Sequence, residues 1–316
     1  MNRSRDVWVR EVGTRDGLQS IATIFSTATK LEWIRREAAA GMPEIEVGSF
    51  VPAKLLPQMA DSAEVVAGAK LIPGLRVSVL VPNLRGAEHA MAAGADQLNY
   101  VLSVSEAHNQ ANVRRSVQES MDDFARIIEL RNARPEYRSI RVAGGLATAF
   151  GCTIAGPVPL SDVFNAARTM VELGADELAI ADTVGYGNPA QCRAIFREVL
   201  AIAGDIPVAA HFHDTRGLGL ANVDAALDVG VRRFDASLGG LGGCPYAPGA
   251  SGNIVMDDLV FMLEAMGLAT GVDLEALLET RRFMEKYLEQ EPTRGAIVRA
   301  GVPKGFFAMQ LAKRGR

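Results

Sequence analysis

Two histidines stand two residues apart in HFHDTRG, residues 211–217, in a chain that has only four. In a strand, positions i and i+2 face one side, so His211 and His213 can converge on a single point. A lone histidine at such a place is more often a hydrogen-bonded structural residue; a convergent pair is a metal-ligand pattern. Asp16, in GTRDG, supplies a carboxylate, and Asn253, in GASGN, a neutral amide oxygen. Two nitrogens and two oxygens leave coordination positions open for a substrate. This oxygen-rich mixture suits Mg2+ or Mn2+ better than structural zinc. Taken alone, an aspartate in a glycine turn is a turn former, but its neighbour Arg15 points to more.

A guanidinium keeps its proton, so Arg15 can stabilise a developing enolate or grip a carboxylate with two parallel donors. The structural alternative is a salt bridge to Glu46, in IEVGSFV, which would close the barrel mouth; Glu46 can equally orient Arg15 or the water shell of the metal. Cys244 lies in GGLGGCPYAPGASGN, residues 239–253. Such glycine density marks a mobile loop or a backbone that passes close to a ligand. A thiol with an unperturbed pKa of about 8.5 is mostly protonated at neutral pH and can give its proton to a carbanion. A phosphate cradle is the rival reading, but no GKS or GKT follows. A divalent cation, a fixed positive charge and a thiol acid together make a metal-dependent carbon–carbon lyase. The catalytic candidates are Arg15, Cys244 and Glu46, and the metal ligands Asp16, His211, His213 and Asn253.

These residues must be carried by repeated units. Apolar runs of strand length fall at 7–12, 44–49, 76–81, 97–103, 140–147, 177–182, 208–213 and 233–237, with amphipathic stretches such as 30–40, 117–131, 160–173, 189–203 and 220–229 between them. The phrases AAAGMPEIEV, MAAGADQLNY, VELGADELAI and LDVGVRRFDA each place a glycine between helix and strand, as a left-handed helix terminus requires. Eight such units predict an α/β fold, a closed (β/α)8 TIM barrel over residues 5–272. An open doubly wound sheet is disfavoured, because no GxGxxG follows the first strand and polar residues cluster after many strands rather than at one switch point. Residues 273–316 turn charged and helical, predicting a C-terminal helical cap with a basic tail. The strand ends form the active face of a barrel, which is where the motifs fall.

Composition excludes several classes. Of 316 residues, 48% are hydrophobic and 22% charged, which argues against disorder. A net charge of −4 gives no general attraction to nucleic acid, and Lys313–Arg316 read as a frayed tail. The three cysteines, Cys152, Cys192 and Cys244, include no CxxC pair, which suits a reducing compartment and excludes a thiolate zinc site. No apolar run of about 18 residues and no secretory segment is present. The strand-like segment beginning at Val7 leaves no room for a transit peptide, so a cytoplasmic protein without a membrane partner is expected.

VGTRDGLQ, SFVPAKLLPQMAD, VPNLRG, HFHDTRGLGLAN, GLGGCPYAPGASGN and DLVFMLEAMGLATGV together resemble the signatures of the 3-hydroxy-3-methylglutaryl-CoA lyase family, within the metallolyase barrels related to isopropylmalate synthase. The resemblance runs from about Val7 to Leu278. It implies an acyl-CoA substrate, a divalent metal on Asp16, His211, His213 and Asn253, substrate polarisation by Arg15 and a catalytic thiol at Cys244. It implies retro-Claisen cleavage to acetyl-CoA and, from hydroxymethylglutaryl-CoA, acetoacetate. Two places depart from it. The fifth strand reads VAGGLATAFGC where VRGYVSCALGC is usual, so Ala143 and Gly145 replace an arginine and a tyrosine; HFHDTRG replaces HCHDTYG, putting Arg216 in place of an aromatic. Arg15, Thr183, Gly145 and Arg216 are the substrate-contact candidates. The alternatives are a lyase for citramalyl-CoA or a longer-branched 3-hydroxyglutaryl-CoA, a Claisen synthase, or a non-catalytic CoA-binding barrel. A homo-oligomer, a dimer, is the expected assembly.

Overall fold

The computed structural model describes residues 5–243 and 252–306. Eight parallel strands close into a barrel in sequence order: β1 (Trp8–Glu11), β2 (Glu44–Ser49), β3 (Arg76–Val81), β4 (Gln97–Ser103), β5 (Arg141–Ala147), β6 (Glu177–Asp182), β7 (Val208–Phe212) and β8 (Arg233–Ala236). This is the expected (β/α)8 architecture. The helices outside it are α1 (Thr27–Ala39), α2 (Ser62–Ala69), α3 (Leu84–Ala93), α4 (Glu106–Val113), α5 (Val117–Ala133), α6 (Leu160–Leu173), α7 (Pro189–Ala203), α8 (Gly219–Asp228), α9 (Met256–Ala265), α10 (Leu274–Glu285) and α11 (Ile297–Ala300).

Local chemistry sets the helix limits. Ser116 and Glu119 form a reciprocal capping box at the start of α5, and Asn188 accepts two backbone N–H groups ahead of Pro189 in α7, satisfying donors that a helix start otherwise leaves open. Gly94 and Gly174 end α3 and α6 with φ of 87° and 100°, a region that side chains with a Cβ enter only at a cost. The strands predicted at 208–213 and 233–237 stop short, at Phe212 and Ala236, because His213 and Ser237 leave the sheet to bridge Asn253 and Val255 in the loop after β8.

Strand parity divides the packing. Val9, Ile45, Val47, Val79, Leu98, Val142, Ile180, Phe212 and Phe234 are buried and face the helix layer, the main apolar core. The inward row instead carries a cluster of charged residues. Arg10 bonds Asp235 at 2.8 Å, Glu177 at 2.9 Å and Glu44 at 3.2 Å, and Arg233 bonds Glu177 at 3.0 Å. Buried carboxylates need such pairing.

The segment after residue 272 packs on the barrel rather than standing apart. Asp273 caps α10 and its N–H meets the Ala40 carbonyl at 2.7 Å, while Arg281 makes two bonds to Asp257 of α9. Leu274, Leu277, Leu278, Met284, Leu288 and Ile297 join the same core. The chain then returns to the strand C-terminal face, where Arg294 donates to the carbonyls of Gly240 at 2.7 Å and Asn253 at 3.2 Å. The basic tail lies outside the described residues. Among the described residues no helix is long and apolar enough to cross a membrane.

Candidate active site

After β1 the chain makes one π-helical turn, Gly13–Gly17, in which the Val12 carbonyl receives N–H groups from Arg15 at 3.1 Å, Asp16 at 2.7 Å and Gly17 at 3.3 Å. A side chain at Gly17 would put its Cβ 2.9 Å from that of Leu241, so glycine lets this turn lie against the loop after β8. The turn delivers Arg15 and Asp16 to the barrel mouth. His211 ends the inward row of β7, and His213 follows it. Asn253 is brought in by its backbone bridge to His213. β1 pairs with β8 and β8 with β7, so the four expected ligands come from neighbouring positions around the rim.

The ligand atoms of Asp16, His211 and His213 all lie within 4.8 Å of one another. His213 Nε2 is 3.7 Å from Asp16 Oδ2, and Asn253 Nδ2 donates to the same oxygen at 2.6 Å and to the Leu241 carbonyl at 3.0 Å. With both amide hydrogens used, Asn253 Oδ1 is left buried without a hydrogen-bond partner, and so is His213 Nδ1. Buried polar atoms are normally satisfied. Two imidazoles, a carboxylate and an orphaned amide oxygen converging here fit an oxygen- and nitrogen-ligated divalent cation. Burial works against ionisation of Asp16, but the guanidinium of Arg15, then His213 and His211, hold its carboxyl well below the usual range. It is an anion at neutral pH.

Arg15 is buried and aimed by two acids: Nε donates to Glu46 at 2.5 Å and Nη1 to Asp16 at 2.7 Å. Burial opposes its charge, but Glu46 and Asp16 raise its pKa further. Glu46 is held from its other oxygen by Asn99 at 2.8 Å, and Asn99 in turn by Gln97 at 3.0 Å. The structural reading of Arg15, a bridge to Glu46, is thus realised, and it leaves Nη2 without a bond to any described residue. His211 Nδ1 lies 3.3 Å from Asp235 Oδ2, and Arg10 grips both Asp235 oxygens at 2.8 and 3.0 Å. Burial opposes the Asp235 charge, yet Arg10, then His211, pull its pKa down to about 2. Asp235 therefore accepts from Nδ1–H and leaves Nε2 of His211 for a metal, a carboxylate–histidine arrangement that fixes ring and tautomer.

Gly145 is on the inward row of β5, two residues beyond Ala143, which pairs in register with Asn99. A Cβ on Gly145 would stand 3.0 Å from Val101 Cγ2 and 3.2 Å from the Tyr100 carbonyl. Thr183 Oγ1 accepts the Thr148 N–H at 2.9 Å, tying the loops after β5 and β6. Arg216 is exposed; it donates to the carbonyls of Val184 at 3.0 Å and Gly185 at 3.1 Å and lies over the Tyr186 ring. Cys244 lies outside the described residues. Cys152 and Cys192 are buried free thiols, and burial pushes the Cys192 thiol up, which keeps it inert.

Sequence reasoning missed Arg10, Asp235, Gln97 and Arg294. The first three had a signal: charged or amide residues recurring at inward strand positions mark a polar barrel interior. Arg294 had none, since it acts on the rim from a distant loop.

The HMGL-like family model matches residues 7–284. The chain is 41% identical over 280 residues to the cytoplasmic 3-hydroxy-3-methylglutaryl-CoA lyase of Rattus norvegicus, covering 89% of this chain and 80% of the relative. It is 40% identical over 291 residues to the mitochondrial hydroxymethylglutaryl-CoA lyase of Mus musculus, covering 91% and 87%. Among solved structures, an HMG-CoA lyase of Acinetobacter baumannii in complex with coenzyme A and 3-methylmalate superposes with a TM-score of 0.89 at 41% identity, covering 96% of this chain and 98% of that one. The carboxyl transferase domain of Rhizobium etli pyruvate carboxylase, at 20% identity and a TM-score of 0.69, shares the fold alone.

Proposed function

The chain belongs to the HMGL-like family, and from that premise we propose how its rim residues divide the work of a hydroxymethylglutaryl-CoA lyase. It is a carbon–carbon lyase of that type, acting on a 3-hydroxyacyl-CoA that carries a free carboxylate, with hydroxymethylglutaryl-CoA yielding acetyl-CoA and acetoacetate. The observation that carries the site assignment is the convergence of Asp16, His211 and His213 within 4.8 Å, beside the orphaned Asn253 oxygen.

A divalent cation, Mg2+ or Mn2+, held by Asp16, His211, His213 and Asn253, would supply Lewis-acid polarisation of the substrate's oxygens. Arg15, fixed by Glu46 and Asp16, presents its remaining donors to the thioester oxygen on which negative charge grows. The 3-hydroxyl gives up its proton, the C2–C3 bond breaks, and its electron pair becomes the thioester enolate. The Cys244 thiol protonates C2, and the proton released from the hydroxyl restores the thiol. Asp235 keeps the His211 tautomer that leaves Nε2 free. Arg294, bonded to the carbonyls of Gly240 and Asn253, ties down both stems of the cysteine-bearing loop.

The small inward residues Ala143 and Gly145 support tolerance of a longer 3-alkyl chain or a citramalyl skeleton, because a wall without polar groups discriminates weakly. Thr183 and Arg216 serve through the loops they brace. A homodimer, and a cytoplasmic location, belong to the same reading. Release of acetyl-CoA from a panel of 3-hydroxyacyl-CoA thioesters tests it: cleavage of hydroxymethylglutaryl-CoA together with at least one larger analogue supports it, and no acetyl-CoA from any member contradicts it.

A further inference from the structure

One buried pair takes no part in the chemistry above. Glu11 ends β1, and its parity sends it outward, into the apolar layer between the strand and α1 that Val9 also faces. There its carboxylate accepts the Gly13 N–H at 2.5 Å and the Leu238 N–H at 3.0 Å through Oε1 and 3.1 Å through Oε2. Gly13 opens the turn that carries Arg15 and Asp16. Leu238 opens the short helical turn Leu238–Gly240 that begins the loop after β8. A single carboxylate therefore clips the two catalytic loops together from behind.

Glu37, on α1, is also fully buried, and neither of its oxygens receives a hydrogen bond from a described donor. No lysine or arginine among the described residues forms an ion pair with either acid. The other charges facing them are Asp257 of α9, which adds repulsion at Glu11, and Arg281 of α10, which is spent on Asp257 at 2.8 Å. Two bare carboxylates in an apolar layer without a cation are untenable, so one of them must hold a proton. Glu11 has two backbone donors to support its charge and Glu37 has none. Burial raises both acids, and repulsion from Glu11 raises Glu37 further, although the Trp33 indole works in the opposite direction. The proton is better placed on Glu37, from which an O–H can donate to the neighbouring Glu11 carboxylate in a charge-assisted bond.

We propose that Glu11 and Glu37 share one proton and act as a positioning pair, Glu37 holding Glu11 and Glu11 holding the Arg15–Asp16 turn in register with the loop after β8. The proposal rests on the reading of Asp16 as a metal ligand, and its deciding tests, an infrared band and Mn2+ affinity, do not require turnover.

Infrared difference spectra between the unaltered protein and Glu37→Gln at neutral pH should show a protonated-carboxyl band that shifts in D2O; its absence overturns the shared proton. Mn2+ affinity reads the positioning. Glu11→Ala removes the acceptor for both N–H groups and should weaken Mn2+ binding ~10–100-fold, the usual cost of losing an outer support of a metal site, with KM for the acyl-CoA within ~3-fold of its original value. Glu11→Gln should restore most of the affinity, because its oxygen accepts both N–H groups and its amide donates to Glu37. Unchanged Mn2+ affinity in Glu11→Ala overturns the proposal. Should that variant not fold, Glu37→Leu decides: weakened Mn2+ binding supports the pair, and unaltered binding overturns it. A chain that passes these tests yet cleaves no acyl-CoA would fail the function and not the pair.

Discussion

Asp235→Asn keeps shape and removes one charge from the support behind His211. Asp235 accepts from Arg10 Nε at 2.8 Å and Nη2 at 3.0 Å, and lies 3.3 Å from His211 Nδ1. An amide has one acceptor atom where the carboxylate has two. If its NH2 takes the Oδ2 position, it opposes both Arg10 Nη2 and His211 Nδ1–H, so a guanidinium donor is orphaned and the ring shifts its proton to Nε2, which can then no longer ligate. If the NH2 takes the Oδ1 position, it opposes Arg10 Nε. His211 then keeps its partner, but a buried guanidinium donor is orphaned. Arg10 retains Glu44 and Glu177, so the fold should survive with a loss of about 1–3 kcal/mol, the range for one unsatisfied buried group. The tautomer shift should weaken Mn2+ binding ~10–100-fold, about 1.4–2.8 kcal/mol, and lower kcat in step. Calorimetric titration with Mn2+, alongside a thermal melt, measures both. Mn2+ affinity within ~2-fold of the original in a folded variant refutes the claim that Asp235 sets the ligand state of His211.

Three other outcomes follow from the same geometry. Cys244→Ser should lose most turnover while Mn2+ affinity and melting temperature stay close to those of the unaltered protein, since Cys244 is not among the ligands; equal turnover would reduce it to a loop residue. Gly145→Tyr should lower kcat/KM for the larger 3-alkyl substrates by ~10-fold or more relative to hydroxymethylglutaryl-CoA, with Gly145→Ala as the control for the tight contact at Val101; a parallel loss on every substrate would mean lost packing instead. Asp235 has a depressed folded-state pKa of about 2, so its contribution is fully present above the unfolded value of about 3.9 and disappears as pH falls through the folded value. Urea midpoints between neutral pH and pH ~2 should therefore fall less steeply for Asp235→Asn than for the unaltered chain.

The fold was legible because helix and strand units alternate and are punctuated by glycine: β2, β3, β4 and β6 begin and end where their apolar runs do, as do α6 and α7. Strand ends at the rim were overrun, because a side-chain pattern cannot show that His213 leaves the sheet to bridge Asn253. The metal-ligand candidates were legible because strand parity and rim position are properties of sequence. Their supports were less so. Asp235 and Arg10 carry a parity signal, but which acid meets which base depends on register around the closed barrel. Arg216 is a substrate-contact candidate from its place in the motif; its Nη1 also donates to the Val184 and Gly185 carbonyls, a loop contact that no motif encodes. Glu37 falls on the buried side of α1 without a sequence mark, since an acid facing the core resembles any other helix glutamate until its partner is known.

The most direct test of the account is acetyl-CoA release from hydroxymethylglutaryl-CoA by protein stripped of metal, before and after Mn2+ is returned, beside His213→Ala treated identically. No release is expected from the stripped protein, with recovery on adding Mn2+. Turnover at least ~10²-fold lower is expected in the variant, on the scale of losing a preorganised electrostatic group. Full release from the stripped protein, or unaltered Mn2+-supported turnover in His213→Ala, would contradict it.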